Sequence, residues 1–399
     1  MTREEALLQG GLGKLRRAAL DRAPVHGLTH CFYRYPARFS PAFAGAAIEA
    51  FSHPGDVVLD PQMGGGTTIV EALVRGRRAI GNDLNSLAVF VTRVKTTCLT
   101  DWERATLARW ADEIVPTLSY RTELGSANRI ICQRRTHNLS LPMARPIKKV
   151  IALALDSLSS LPTERCRDFA RCALLNVGQL AFNGRKRTTP LWEFRELVQN
   201  AARDMLAATK TLQTRMSAIP RPVHWPTLIN VNSAGLAGQP PFSQGARADL
   251  VVTSPPYPGI HVLYHRWQVD GRRETPAPYW IAACEDGQGN AYYNFADRRD
   301  AAADDYFEES LRTLRVLRQV VKDGATVIQM VAFGDPKNHL RRYLSNMRVA
   351  GFEEARPPAD AEGNVRRRIW RTVPRRRWHA NLKGDLHSSR EVVLIHRAV

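Results

Sequence analysis

A chain of 399 residues can bury a large core, and 44% hydrophobic with 24% charged residues is ordinary for a globular protein. The net charge of +19 is not ordinary: it calls for a polyanionic partner, nucleic acid first and a membrane surface second. Six cysteines without a Cys-x-x-Cys pair argue against structural zinc and against a disulfide framework, and no apolar run nears the ~20 residues of a spanning helix.

Residues 1–28 are polar and basic, and their spacing predicts one helix over Glu4–Leu20 followed by a loop. Met1-Thr2-Arg3-Glu4-Glu5 lacks a signal-peptide core, so the expected setting is a reducing cytoplasm. Next comes Tyr35-Pro36-Ala37-Arg38-Phe39-Ser40-Pro41, then a helical pattern from Phe43 to Phe51 that stops before Pro54-Gly55-Asp56. These aromatics either pack beneath a sheet or line a ligand, and the residues alone leave both readings open.

Asp56–Asp60 is a short continuous apolar run, read as a strand buried on both faces. It leads into Pro61-Gln62-Met63-Gly64-Gly65-Gly66-Thr67-Thr68 and a helix through Ile69, Val70 and Leu73. Thr68-x-x-Glu71 reads as a capping box, with Gly76 as the stop. A strand, a glycine turn and a helix make a Rossmann-type nucleotide cradle. A phosphate-binding P-loop is the rival, but no Gly-Lys-Ser/Thr follows. A second strand, Arg78–Asp83, ends in an acid roughly 20 residues after the glycines, the spacing expected of a ribose-hydroxyl acceptor.

From 101 to 222 helical periodicity takes over, with basic clusters that include Arg185-Lys186-Arg187. This block interrupts the nucleotide fold. It is either a target-recognition region whose cations meet phosphates or a helical cap with solvated charge. The sheet resumes with a strand at Thr227–Val231, whose Asn232 and Ser233 are candidates to bracket an adenine. Leu250-Val251-Val252 then forms a strand that two prolines end abruptly, in Thr253-Ser254-Pro255-Pro256-Tyr257. At the carboxyl end of a strand, the Ser254 hydroxyl and the Pro255 carbonyl can accept from an –NH₂ while Tyr257 stacks on a ring.

The segment from Pro258 to about Ala302 has no clear period and carries Tyr264, His265, Arg266, Trp267, Tyr279, Trp280, Tyr292 and Tyr293. Aromatics among cations suit base stacking and phosphate contact, and that role is expected over a minor core beneath the loop. An amphipathic helix over Tyr306–Val321, a strand at Ala325–Val331, a helix near His339–Met347 and a strand at Glu391–Ile395 complete a mixed sheet. Before the last strand, Arg366-Arg367-Arg368, Arg371 and Arg375-Arg376-Arg377 sit with Trp370 and Trp378, a density of charge that favours phosphate contact.

Together, the glycine turn and Ser-Pro-Pro-Tyr resemble the motifs of the DNA methyltransferases that modify exocyclic amino groups, cytosine N4 or adenine N6. The resemblance covers roughly residues 30–98 and 227–331. It implies an α/β fold, a Rossmann-like S-adenosylmethionine-dependent methyltransferase sheet with a helical insertion. The division is an N-terminal extension (1–28), a catalytic domain (29–100 and 223–399) and an insertion at 101–222. It assigns Ser254, Pro255, Pro256 and Tyr257 to catalysis, and Phe39, Pro41, Asp60, Gly64, Gly66, Thr67 and Asp83 to the cofactor. Gln62 departs from the family's usual Phe and Gly65 from its usual Ser; the first removes an apolar wall. The serine form of the motif is commoner in cytosine-N4 enzymes, and no metal is needed.

The implied partner is double-stranded DNA, gripped by Arg185, Lys186, Arg187, Tyr264, Arg266, Arg375, Arg376 and Arg377. A cognate restriction endonuclease or defence system and a nucleoid-associated cytoplasmic location go with that reading. An adenine-N6 enzyme, an RNA or tRNA amine methyltransferase, and an inactive nucleic-acid-binding protein on the same fold remain open. The intact Ser254–Tyr257 and Asp60–Thr67 argue against the last of these, and the enzymatic readings require one arrangement: the glycine turn and Pro255 at the same end of the sheet.

Overall fold

The computed structural model describes residues 3–35, 40–123, 136–139, 141–142, 144–184, 188–220, 225–257, 266–269, 273–286, 302–333, 335–355, 368–372 and 390–399. Helices α1 (Arg3–Leu20) and α2 (Pro41–Phe51) precede β1 (Val57–Asp60), α3 (Thr67–Leu73), β2 (Arg78–Asn82) and α4 (Ser86–Thr96). Ser40 caps α2 by accepting from the Phe43 N–H, and Pro41 takes the first helical position, where a missing N–H costs nothing. The helical block comprises α5 (Asp101–Arg109) with its π-helical continuation to Ile114, α6 (Arg145–Ser157), α7 (Glu164–Phe182) and α8 (Leu191–Ser217). Then come β3 (Thr227–Ile229), β4 (Ala248–Thr253), β5 (Trp267–Val269), β6 (Arg273–Thr275) and α9 (Ala277–Ala282). The chain continues with α10 (Ala302–Val320), β7 (Val321–Ala332), α11 (Pro336–Val349), β8 (Phe352–Glu354), β9 (Ile369–Thr372) and β10 (Arg390–Ala398).

The main sheet runs β3-β2-β1-β4-β7-β10-β8, with β9 also paired to β10. The five strands from β3 to β7 are parallel, and β10 enters antiparallel between β7 and β8. Strand order reverses between β1 and β4, because the chain builds outward from β1 to β3 and then returns to β1's other side. Open α/β sheets bind their ligands at the carboxyl ends of the strands flanking such a reversal. This is the expected mixed sheet.

Alternation along the strands feeds two cores. Val58, Leu250, Val252, Ile328, Met330, Val393 and Ile395 point to the side covered by α1, α2, α3 and the end of α8. Val57, Leu59, Val251, Val327, Val331, Val392 and Leu394 point to the opposite side, beneath α10 and α11. Burial of both faces explains why the strands read as unbroken apolar runs.

A third core belongs to the helical block, and it takes in more than residues 101–222. Tyr33 and Tyr35, the buried side of α4, β5 and α9 pack into the same cluster. The expectation that Trp267, Tyr279 and Trp280 face nucleic acid is therefore wrong: they are 1%, 1% and 5% exposed. The Trp267 indole donates to the Tyr33 hydroxyl at 3.1 Å, and Gly178 of α7 makes room for its ring. A hairpin and a short helix occupy what the sequence offered as a loop without period.

The capping box is a second correction. Helix α3 starts after Gly66, in the left-handed region at φ 72°, with no side-chain cap. Thr68 instead donates to the Val252 carbonyl of β4, and Glu71 bonds buried His30 at 2.7 Å and the Arg75 guanidinium.

Candidate active site at the strand tips

Strands β1 and β4 are parallel neighbours in the register Val58↔Leu250 and Leu59↔Val251, so their carboxyl ends emerge side by side. Thr253 stitches them together: its hydroxyl lies 2.7 Å from Asp60 Oδ1 and 3.2 Å from Gln62 Oε1. The glycine turn and the Ser-Pro-Pro-Tyr segment thus share one end of the sheet. Gln62, where an apolar wall was expected, is a bridge: it also donates to the Ser233 hydroxyl at 3.3 Å.

The turn is fixed from three directions. Gly64, at φ 47°, donates its N–H to Asp83 Oδ2 at 2.8 Å. Gly66 cannot carry a side chain, since a Cβ there would sit 2.5 Å from the Thr92 hydroxyl. Lys95 of α4, 1% exposed, reaches up to donate to the Gly65 carbonyl at 2.7 Å. Sequence reasoning missed Lys95, because one lysine in an apolar helix carries no local mark of its partner. Thr67 is buried at the first position of α3.

Two acids flank the turn. Burial pushes the Asp60 carboxyl up to about 7, against the pull of Thr253, Thr68 and the Gln62 N–H. Burial likewise raises half-buried Asp83 to about 6, although its oxygens accept the Asn85 and Gly64 N–H groups. Asn85 in turn ties the site to the third core, donating to the Tyr35 hydroxyl and accepting from Tyr279. Of the adenine bracket, Ser233 is buried and donates to the Pro61 carbonyl at 2.9 Å, and Asn232 caps the short 3₁₀ turn that follows.

On the other strand tip, the Ser254 hydroxyl lies 3.0 Å from the Tyr257 hydroxyl and 3.1 Å from the Met330 carbonyl of β7. The Pro256 carbonyl accepts the buried Tyr306 phenol at 2.7 Å, which pins the loop to α10. Pro255 is buried; Ser254, Pro256 and Tyr257 are half-buried at the mouth. Arg266 pairs with Asp286 at 3.0 Å. Within the arginine-rich stretch, Arg368 binds Glu354 and Arg371 binds Glu391. Phe39, Arg185, Lys186, Arg187, Tyr264, Arg375, Arg376 and Arg377 lie outside the described residues.

Comparison with known proteins bears on this geometry. A family model described as DNA methylase, the N6/N4 type, matches residues 18–90, which hold α2, the glycine turn and β2. The match to that family is confined to residues 18–90. Over 73 residues the chain is 37% identical to Type II methyltransferase M.MvaI from Kocuria varians, a match covering 18% of this chain and 16% of that protein. Among solved structures, TrmN from Thermus thermophilus aligns at 11% identity over 90% of this chain and 49% of that chain, with a TM-score of 0.32. The rRNA methyltransferase aviRa from Streptomyces viridochromogenes aligns at 12% identity over 95% and 89%, also at 0.32.

The N6/N4 methylases use S-adenosylmethionine, and the donor set of this turn fits it. A ribose diol needs an acidic acceptor at the end of the second strand, where Asp83 stands. The sulfonium and ammonium charges of the cofactor suit these two carboxylates, one buried and one half-buried, whose ionisation is otherwise disfavoured. Among the described residues there is no cluster of His, Cys, Asp or Glu able to hold a metal ion, and no helix long and apolar enough to cross a membrane.

Proposed function

We propose that this protein methylates an exocyclic amino group of a base in double-stranded DNA, with cytosine N4 as the acceptor. The observation that supports the proposal best is the bond from Thr253 to Asp60, which joins the glycine turn to the Ser-Pro-Pro-Tyr tip. S-Adenosylmethionine supplies the methyl group on a positively charged sulfur, so no covalent enzyme intermediate is required. Asp60 and the Gly64–Thr67 turn hold its amino-acid part and Asp83 its ribose, with Pro41 and Phe39 on the methionine side.

An exocyclic amine is a poor nucleophile because its lone pair is delocalised into the ring. The Ser254 hydroxyl and the Pro255 carbonyl accept its two N–H bonds, return electron density to nitrogen and aim the lone pair. The Pro256 carbonyl already accepts from Tyr306, which anchors the loop that carries Pro255. Because the amine of a paired base lies inside the stack, the base is flipped outward, and Tyr257 replaces its lost stacking. Ser254 in place of an acid favours cytosine over adenine. The helical block reads the target through Arg185, Lys186 and Arg187, while Tyr264, Arg266, Arg375, Arg376 and Arg377, from outside residues 101–222, meet phosphates and bases.

Nucleoside analysis of DNA and RNA incubated with the protein and labelled S-adenosylmethionine tests this reading. N4-Methylcytosine in DNA is expected; N6-methyladenine corrects the base, and label in RNA alone corrects the substrate. Ser254→Ala should slow transfer about 100-fold and Tyr257→Ala at least as much. Full activity in both variants would refute the placement of the site.

A further inference from the structure

Tyr257 is held by more than its own loop. Its hydroxyl lies 3.2 Å from Oε1 of Glu391, on β10, and 3.0 Å from the Ser254 hydroxyl. Glu391 is 4% exposed, and its other oxygen receives Nε and Nη2 of Arg371 on β9, each at 2.6 Å. Arg371 continues to the Ala19 carbonyl at the end of α1, at 3.1 Å. A run of polar contacts therefore leads from the amine-binding serine through the tyrosine to a carboxylate on the antiparallel strand.

Proton counting gives this run a direction. A carboxylate paired with a guanidinium only accepts, so the bond between Tyr257 and Glu391 must use the phenol's single proton. The phenol oxygen then has only lone pairs to offer Ser254, and the carbonyl of Met330, the serine's second neighbour, likewise only accepts. Whichever of the two takes the serine proton, Ser254 presents lone pairs to the pocket. Without the carboxylate, the phenol could turn its proton onto Ser254 Oγ and occupy the lone pair the amine needs.

We propose that Glu391 is a positioning residue that fixes the proton of Tyr257, and with it the acceptor polarity of Ser254, with Arg371 holding the carboxylate in place. The idea rests on the methyltransferase reading for its purpose, but not for its test. Because a serine donates as readily as it accepts, a Ser-Pro-Pro-Tyr site needs such a device. A carboxylate at the same position would not.

The full-length protein labelled with [¹³Cζ]tyrosine provides a readout independent of activity, with Tyr257→Phe identifying the resonance. Glu391→Gln should shift the Tyr257 signal, and an unmoved signal overturns the proposal. In single-turnover methyl transfer, Glu391→Gln should cost about tenfold to a hundredfold, whereas Tyr257→Phe, which keeps the ring and has no proton to misdirect, should cost little. The double variant should lose no more than Tyr257→Phe alone, because the carboxylate acts through the phenol. Multiplying losses would overturn the proposal, as would a Glu391→Gln enzyme as fast as the parent. Should that variant leave Arg371 too poorly paired to fold, Glu391→Gln with Arg371→Met removes both charges together, and the same outcomes apply. A parent protein that methylates no nucleic acid would sink the methyltransferase reading alone, while the tyrosine signal would still decide the role of Glu391.

Discussion

Asp60 and Asp83 sit where burial opposes their charge, which makes the proposed cofactor turn a proton-linked site. With a folded value of about 7 against 3.8, Asp60 holds a proton between roughly pH 4 and 7 that the unfolded chain has released. Its contribution to stability is therefore greatest in acid and declines as pH rises through that window; Asp83 behaves alike up to about 6. A cationic ligand favours the ionised acids, so its binding expels protons and its affinity rises from about pH 5 to a plateau above about 7. Calorimetry at pH 6 in two buffers of different ionisation enthalpy should show proton release when S-adenosylmethionine binds; proton uptake would contradict the assignment of these acids. Both acids were legible in the sequence, since each closes a strand beside a turn. Lys95, Thr253 and Glu391, which brace the turn and the tip, were not. Each acts on a residue far away in the chain, and no periodicity encodes a partner 30 to 193 residues distant.

Among the elements, the β5–β6 hairpin shows how burial overrides a surface-like composition. Trp267 fits against Gly178, where an added Cβ would come within 2.7 Å of the indole. Trp267→Ala should destabilise the protein by about 3–5 kcal/mol in urea unfolding, as expected for a large ring lost from a packed core. A loss below about 1 kcal/mol would mean that the hairpin does not anchor the helical block. The sequence concealed this hairpin because its two strands are three residues each, too short for alternation to register. The failed capping box has a comparable origin: Thr68 and Glu71 have the right spacing, but Val252, His30 and Arg75 compete successfully for their polar atoms. By contrast, the Pro-Pro pair after Val252 could end a strand in only one way, and its outcome was readable in advance.

Across the molecule, a charge of +19 sets the terms of any encounter with a polyanion. Binding to duplex DNA should weaken steeply with salt, the slope of log K against log salt being about −0.9 for each phosphate neutralised. Replacing Arg185, Lys186 and Arg187 together by alanine should flatten that slope by up to about 3 if all three meet phosphates. An unchanged slope would return that cluster to the solvated face of a helical cap. The order of the main sheet was legible only as a class, because parallel strands and helices in alternation leave the antiparallel insertion of β10 unspecified.

The burial of Trp267 also constrains how target reading and chemistry communicate. Only residues 258–265 separate Tyr257, at the tip of β4, from Arg266 and the hairpin seated in the helical block. Eight intervening residues limit the separation of Tyr257 and Arg266 to about 30 Å. If the helical block reads the target as proposed, the distance between reading head and stacking ring is thereby capped, whatever else the two do.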